Sequence, residues 1–474
     1  MAKLSKRNKA LSEMPLKVSA PLGGALAILG LHRAIPMLHG SQGCTAFAKV
    51  MTVRHFREPI PLQTTAMDQV GTVMGADAYV VEGLKTICDK QQPDCIGVLT
   101  TGLSETQGSD IHRTVKEFRQ RHPEHAGVAV VAVNTPDFSG GLESGFADTV
   151  KALIEQLVPD RNESHTEPGR RQRQLNVLVS SALTPGDIEV LRELIEQFEL
   201  RPLIVPDLAD SLDGHLPEND FNPLTIGGTA VEELALMGDS LATLVIGPSL
   251  YPAAQALYDK TGVPNYYFDS LLGLDPMDNL VHTLSQLAER PVPARLERQR
   301  AQLQDAMLDC HFMLGQQRVA LAAEPDEILA MTRFLQAQGA EVVAAVTSSR
   351  GPALESVPLQ TVKLGDLADL QQLAQEGDAQ LLMGNSHLAN IAEAMALPLQ
   401  RMGFPQYDLV GGYQRTWIGY RGARQLLFDL ANLVLAEHGK HEVQPYQPRL
   451  RQQAADLTVH SGDRHGHATT TARA

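Results

Sequence analysis

The sequence predicts an α/β protein built from three doubly wound, Rossmann-like domains with parallel sheets. Three observations carry this expectation. Short runs rich in β-branched residues alternate with stretches of i, i+3, i+4 apolar spacing. The runs are near-continuously apolar rather than alternating, as in strands buried on both faces of a parallel sheet. A chain of 474 residues also divides into about three domains at roughly 100–200 residues each.

Taken in order, the expected strands of the first domain are Ala34–Leu38, Ile60–Thr65, Ile96–Thr101 and Val128–Val133. Those of the second are Asn176–Ser180, Pro202–Val205, Thr243–Ile246 and Asn265–Phe268. The third has Arg318–Ala322, Glu341–Val346, Gln380–Met383 and Pro398–Met402. Helical spacing fills the intervals, for instance at Asp187–Phe198, Pro325–Gln338 and Leu364–Gln375. The expected organisation is an N-terminal extension (1–17), domain I (18–158), a linker (159–174), domain II (175–295), a bridging helix (296–316), domain III (317–437) and a disordered tail (438–474). The linker is placed by a polar, charged stretch with two prolines, and the tail by its aperiodic polar composition.

Forty basic against 55 acidic side chains leave a net charge of −15, which argues against a general nucleic-acid binder. The longest apolar run, Leu22 to Leu31, is ten residues with three glycines, far short of the roughly 20 a membrane span needs. The basic N-terminal stretch lacks an apolar core, so no signal peptide is read. Four cysteines without framework spacing predict a reduced, cytoplasmic protein.

Ligands of such sheets sit beyond the carboxyl ends of strands. There the loop His39-Gly40-Ser41-Gln42-Gly43-Cys44 places Cys44 at the start of a helix running through Phe47, Val50, Met51 and Val53. Peptide dipoles at a helix N-terminus favour negative charge. Cys44 is therefore either a nucleophile or metal ligand, or a small buried residue at a tight turn. Cys88 and Cys95 are spaced as core residues rather than as a metal site, and Cys310 stands beside His311 on a helix, where neighbours face apart.

Nucleotide signals are weak. No G-x-x-x-x-G-K-[ST] occurs, and Gly23, Gly24 and Gly30 miss the dinucleotide spacing. Gly384–His387 and Thr100–Glu105 follow strands and read as an anion site or a plain turn. Arg54-His55-Phe56-Arg57 reads as a basic cluster facing an acidic partner or cofactor, or as a solvated helix face. His460, His465 and His467 crowd the tail without a fixed geometry.

The run LHGSQGCTAFAKVMTVRHFREPIPLQTTAMDQV (38–70) adds to this reading, together with VLTTGLSETQGSDI (98–111), VNTPDFSGGLESGF (133–146), PNYYFDSLLGLDPMDNL (264–280), MLDCHFMLG (307–315), LLMGNSH (381–387) and MGFPQYDLVGGYQRTWIGYRGAR (402–424). On these motifs the chain resembles the nitrogenase component 1 family, and within it the β-type subunits of the cofactor-assembly scaffolds. The resemblance implies the same three-domain architecture. In the catalytic β subunits the cysteine of this loop ligates an interfacial eight-iron cluster with two further cysteines. Their positions here fall on Leu62, from the FREP match at 56–59, and on Gly102, from VLTTG. Both lack a thiol.

A cubane takes four thiolates, and two copies of Cys44 would supply only two. The resemblance implies a 4Fe-4S cluster at the subunit interface, with Cys44 as one ligand and a NifE-like partner supplying three. It further implies an α2β2 heterotetramer, electron delivery and molybdenum insertion by the Fe protein NifH, and precursor supply by NifB. The stretch Leu244–Ser249 has no thiol, so the iron-molybdenum cofactor precursor is expected mainly in the partner. The implied role is a non-catalytic scaffold. The alternative is a β-type subunit of a nitrogenase-like reductase acting on dinitrogen or a tetrapyrrole.

Overall fold

The computed structural model describes residues 2–6, 9, 11–164, 166–212 and 222–438. Residues up to Val434 form one compact unit; a second begins at Leu435, and of it only the end of the Gly419–His438 helix is described. The expected tail, apart from His438, and its three histidines lie outside the described residues.

Fourteen strands occur among the described residues, all paired in parallel. β1 (Lys3–Ser5) comes first. β2 (Ala34–His39), β3 (Gln63–Thr64), β4 (Cys95–Thr100) and β5 (Ala129–Val133) make one sheet in the order β3-β2-β4-β5. β6 (Arg171–Val179), β7 (Arg201–Val205), β8 (Ser240–Ile246) and β9 (Asn265–Phe268) make a second, ordered β7-β6-β8-β9. β10 (Arg318–Ala322), β11 (Glu341–Thr347), β12 (Thr361–Leu364), β13 (Leu381–Gly384) and β14 (Leu399–Arg401) join β1 in a third, ordered β1-β12-β11-β10-β13-β14.

Both faces of these strands are covered, which is why their sequences read as unbroken apolar runs. On β2, Ala34 and Leu38 enter the large central core, whereas Ile35 and Met37 enter a separate outer core with Val80, Leu84 and Phe118. On β10, Val319 and Leu321 face the central core, and Ala320 and Ala322 face Leu370 and Leu388. The period of two survives, with both phases apolar.

Several elements differ from expectation. The strand expected at Ile60–Thr65 contracts to Gln63–Thr64, because Pro59 and Pro61 have no N–H to give a ladder. Two strands of the third sheet were not expected: β12, of four residues, and β1, of three, which lies in the N-terminal extension and pairs Leu4 with Val362. Arg171–Gln174, expected in the linker, open β6. Leu364 ends a strand, and its following helix starts at Leu367, capped by Asp366, whose carboxylate accepts from the N–H groups of Ala368 and Asp369. The bridging helix runs Ala294–Leu314.

Gly23 and Gly145 explain the glycine-rich apolar run. The Ala20–Leu29 helix is wholly buried and lies against the Leu142–Leu157 helix. A Cβ on Gly23 would stand 1.9 Å from the Leu142 carbonyl oxygen, and one on Gly145 would stand 2.0 Å from that of Ala20. These glycines let two backbones touch; they cradle no phosphate.

Candidate functional site: a thiol on an apolar face

The loop leaving β2 is fastened before it reaches Cys44. The His39 carbonyl accepts from the Thr101 hydroxyl at 3.0 Å and the Ser104 hydroxyl at 2.8 Å. Gly40 lies so close to Thr101 that a Cβ would meet its Oγ1 at 2.4 Å. The buried His39 ring pairs Nδ1 with Thr65 Oγ1 at 2.9 Å and Nε2 with Ser109 Oγ at 3.0 Å. Burial lowers its pKa to about 4, so the ring is neutral. The Thr100–Glu105 motif is thus structural: its hydroxyls tie the two strand-end loops together.

From this base rises the Gln42–Phe56 helix, with Ser41 at its N-cap and Cys44 in its first turn. The cysteine is exposed, which overturns the reading of a small buried residue, while Cys88, Cys95 and Cys310 are buried. Ser41 Oγ lies 3.6 Å from Cys44 Sγ. The helix has two characters. Thr45, Ala48, Thr52, His55 and Phe56 face the protein, whereas Phe47, Val50 and Val53 stand in the open, Phe47 at 72% exposure. Val70, Val73 and Met74 of the Gln69–Met74 helix are likewise exposed. Exposed apolar side chains in such number mark an interaction surface more often than a solvent-facing one.

Neither position suggested for a further cysteine completes a site. Leu62 is buried in the central core, so it does not join Cys44 on the outward face. Gly102 opens the Gly102–Gln107 helix, and its N–H meets Asp137 Oδ2 at 3.4 Å. Among the described residues no three His, Cys, Asp or Glu side chains come together as a metal site. One exposed thiolate therefore fits a cluster shared across an interface and does not fit one held by this chain alone.

A family model described as nitrogenase component 1 type oxidoreductase matches residues 19–435. The chain belongs to the nitrogenase component 1 family. This component 1 chain is 46% identical over 452 residues to the nitrogenase iron-molybdenum cofactor biosynthesis protein NifN of Klebsiella pneumoniae, covering 95% of this chain and 97% of that protein. The NifN proteins of Nostoc sp. and Bradyrhizobium diazoefficiens are 45% and 42% identical, over 92% and 93% of the chain and 96% and 93% of their own lengths. A solved chain described as nitrogenase Cp1 at pH 6.5 superposes with a TM-score of 0.86 at 29% identity, covering 93% of this chain and 97% of its own. A second, described as nitrogenase Cp1 at pH 5, has a TM-score of 0.71 at 14% identity, covers 94% and 93%, and shares the fold. No helix among the described residues is long and apolar enough to cross a membrane.

This component 1 chain also holds a cavity of about 100 Å³ among its three sheets, lined by residues such as Phe56, Phe146, Met331 and Phe404. Beside it lies a buried acidic group that sequence reading missed. Glu143 Oε2 accepts from the Asp326 N–H at 2.8 Å; Asp326 accepts the Ser249 hydroxyl at 2.6 Å; Glu327 accepts from the Glu324 N–H at 3.2 Å. Burial, reinforced by their mutual repulsion, raises Glu324 to about 7, Asp326 to about 6 and Glu327 to about 8, and pushes Glu143 well above the ordinary range. The loop after β8, where the chain lacks a thiol, closes onto this group: a Cβ on Gly247 would lie 2.5 Å from Asp326 Oδ2. Gly384–His387 is a plain turn, with Asn385 Oδ1 accepting from the His387 N–H at 3.1 Å and the Ser386 hydroxyl donating to Asp408.

Signals for the outward face were present. Phe47, Val50 and Val53 recur every third residue opposite the small residues Thr45, Ala48 and Thr52, which gives one helix two apolar faces. Nothing local marks the acidic group, because its members come from segments some 180 residues apart.

Proposed function

We propose that this chain is the β-type subunit of a scaffold for nitrogenase iron-molybdenum cofactor biosynthesis. It pairs with a NifE-like subunit, as an α2β2 heterotetramer, and shares an interfacial 4Fe-4S cluster to which Cys44 gives one thiolate. The observation that carries the reading is the exposed Cys44 on an apolar face of a chain whose relatives are named as cofactor biosynthesis proteins. When bound, the cluster supplies one-electron storage at the interface. The chain's own part is to hold the thiolate in place through the His39–Ser104 fastening and to exclude water with Phe47, Val50 and Val53.

The maturing precursor belongs to the partner, because the β8 loop here is closed by Asp326 and has no thiol. NifH and NifB act on the assembled scaffold, as electron and molybdenum donor and as precursor donor. The oxidoreductase alternative is not favoured: Gly102 has no thiol, and the full-length relatives are biosynthesis proteins.

The test is iron content and visible charge-transfer absorption of the complex purified anaerobically with its partner. Cys44→Ala lowers both while the subunits remain associated. Cys95→Ala, in a fully buried core position, costs about 1–2 kcal/mol of stability and leaves iron unchanged. Full iron and an unaltered electron paramagnetic resonance signal in Cys44→Ala would remove Cys44 from the ligand set.

A further inference from the structure

The Arg54–Arg57 segment is a solvated face only at its two arginines, which are exposed, while His55 and Phe56 are buried. It is latched to the loop after β14. The Gln406 N–H donates to His55 Nδ1 at 2.9 Å, the Arg57 guanidinium donates to the Tyr407 carbonyl at 3.2 Å, and the Arg54 guanidinium stacks over the Tyr407 ring, 4.2 Å from its centroid. The His55 ring packs edge-on against Phe404 at 4.8 Å and Tyr413 at 6.3 Å, and Phe56 meets Tyr413 at 5.8 Å.

The rest of the helix is held far less firmly. Its buried residues before His55 are only Thr45, Ala48 and Thr52. Thr52 spends its hydroxyl on the Ala48 and Lys49 carbonyls, and Thr45 Oγ1 has no hydrogen-bond partner. Among the described residues, no side chain from Gln42 to Val53 hydrogen-bonds to another element. The helix therefore rests on these small side chains and on Met51, which packs against the central core, and is held at both ends: by the fastened His39 loop before it and by the His55 latch at its far end.

We infer that His55 is a positioning residue for Cys44: through the Gln406 N–H and the Phe404–Tyr413 ring cage, the loop after β14 sets where the thiolate stands. This rests on the reading of Cys44 as a cluster ligand. Eleven residues separate the two, about 16 Å along a rigid helix. A tilt of about 5° at the latch then moves the thiolate by about 1.4 Å at that rise per residue, several times the tolerance of an iron–sulfur bond. The side chain acts as a neutral acceptor, so an amide that presents an oxygen where Nδ1 stands can replace it.

The experiment uses the anaerobic complex with its partner subunit. Cys44→Ala is measured first; unchanged iron and spectrum there defeat the ligand reading and not the latch. Given loss in that variant, His55→Leu is expected to keep the subunits associated but shift the resonance g-values and midpoint potential of the reduced cluster and speed alkylation of Cys44 in iron-free protein. His55→Asn, whose amide oxygen can accept from Gln406, is expected to restore all three. A His55→Leu complex with wild-type g-values, potential and alkylation rate overturns the inference. Should His55→Leu fail to assemble, Tyr413→Leu opens the ring cage around His55; a wild-type spectrum and alkylation rate there overturns the inference equally.

Discussion

Glu143 Oε2 accepts a 2.8 Å hydrogen bond from the backbone N–H of Asp326, so a carboxylate beside the first sheet caps a helix beside the third. Asp326 in turn accepts from both the N–H and the hydroxyl of Ser249, beyond the second sheet. The three sheets are thus joined through acids rather than through ion pairs. Lys17 acts electrostatically on Glu324, and Arg333 pairs with the neighbouring Asp269 rather than with a member of the group.

Alkaline pH should loosen this junction. Glu324, Asp326 and Glu327 have folded pKa values of about 7, 6 and 8 against ordinary values of 4.5, 3.8 and 4.5. The native state therefore holds more protons than the unfolded one, and stability falls as pH rises from about 4 to about 8. Glu327→Gln keeps an acceptor for the Glu324 N–H and removes the charge. It is expected to stabilise the protein by about 2 kcal/mol at pH 9 and not at all at pH 5. Thermal unfolding at the two values decides it; equal shifts at both would show that Glu327 is not titrating.

The acid side is governed by histidine. His39 and His55 are each lowered by burial to about 4 from 6.5. Their neutral forms contribute stability that is whole above pH 6.5 and is lost as pH falls toward 4, at most about 3 kcal/mol for each ring. In His55→Asn the decline of the melting temperature between pH 7 and pH 4.5 should be shallower than in the wild type. An identical decline would mean that this ring titrates alike in the folded and unfolded states.

Gly145→Ala places a methyl group 2.0 Å from the Ala20 carbonyl. Backbone cannot yield as a flexible side chain does, so the cost is expected at about 3 kcal/mol or more. Gly127→Ala, whose added Cβ meets nothing within 4 Å, serves as the matched control. Comparable melting temperatures for the two variants would refute the close contact of the helices.

Phe47→Asp tests the outward face. At 72% exposure the ring contributes little to the fold of this chain, so circular dichroism and melting of the separate subunit should barely change. Association with the partner should weaken by about 2 kcal/mol, the scale of an aromatic hot spot. Unaltered co-purification and affinity would place the partner elsewhere.

The buried strands were legible because their neighbours in space cover both faces, leaving runs such as Cys95–Leu99 apolar throughout. β1 and β12 were not, since three or four residues cannot display a period and Lys3–Ser5 is polar. Cys44 was legible from its turn and helix start, and its exposure removes the reading of a small buried residue. His55 was misread as part of a charge cluster. Its partner, Gln406, is 351 residues away, and a residue buried by a distant loop carries no local signal of burial.

The pairing of Lys3–Ser5 with Thr361–Lys363 bears on the order of events during synthesis. The strand emerges early, yet its template is not made until some 358 residues later. At ribosomal rates of about 5–20 residues per second, that is a wait of roughly 20–70 s. Through that interval the third sheet has no edge for the strand to join, and the first and second sheets can fold around their own helices. The segment can find its place only after Thr361–Lys363 has been made. A bulky tag fused just ahead of it would be felt at the far edge of the third sheet rather than beside Cys44.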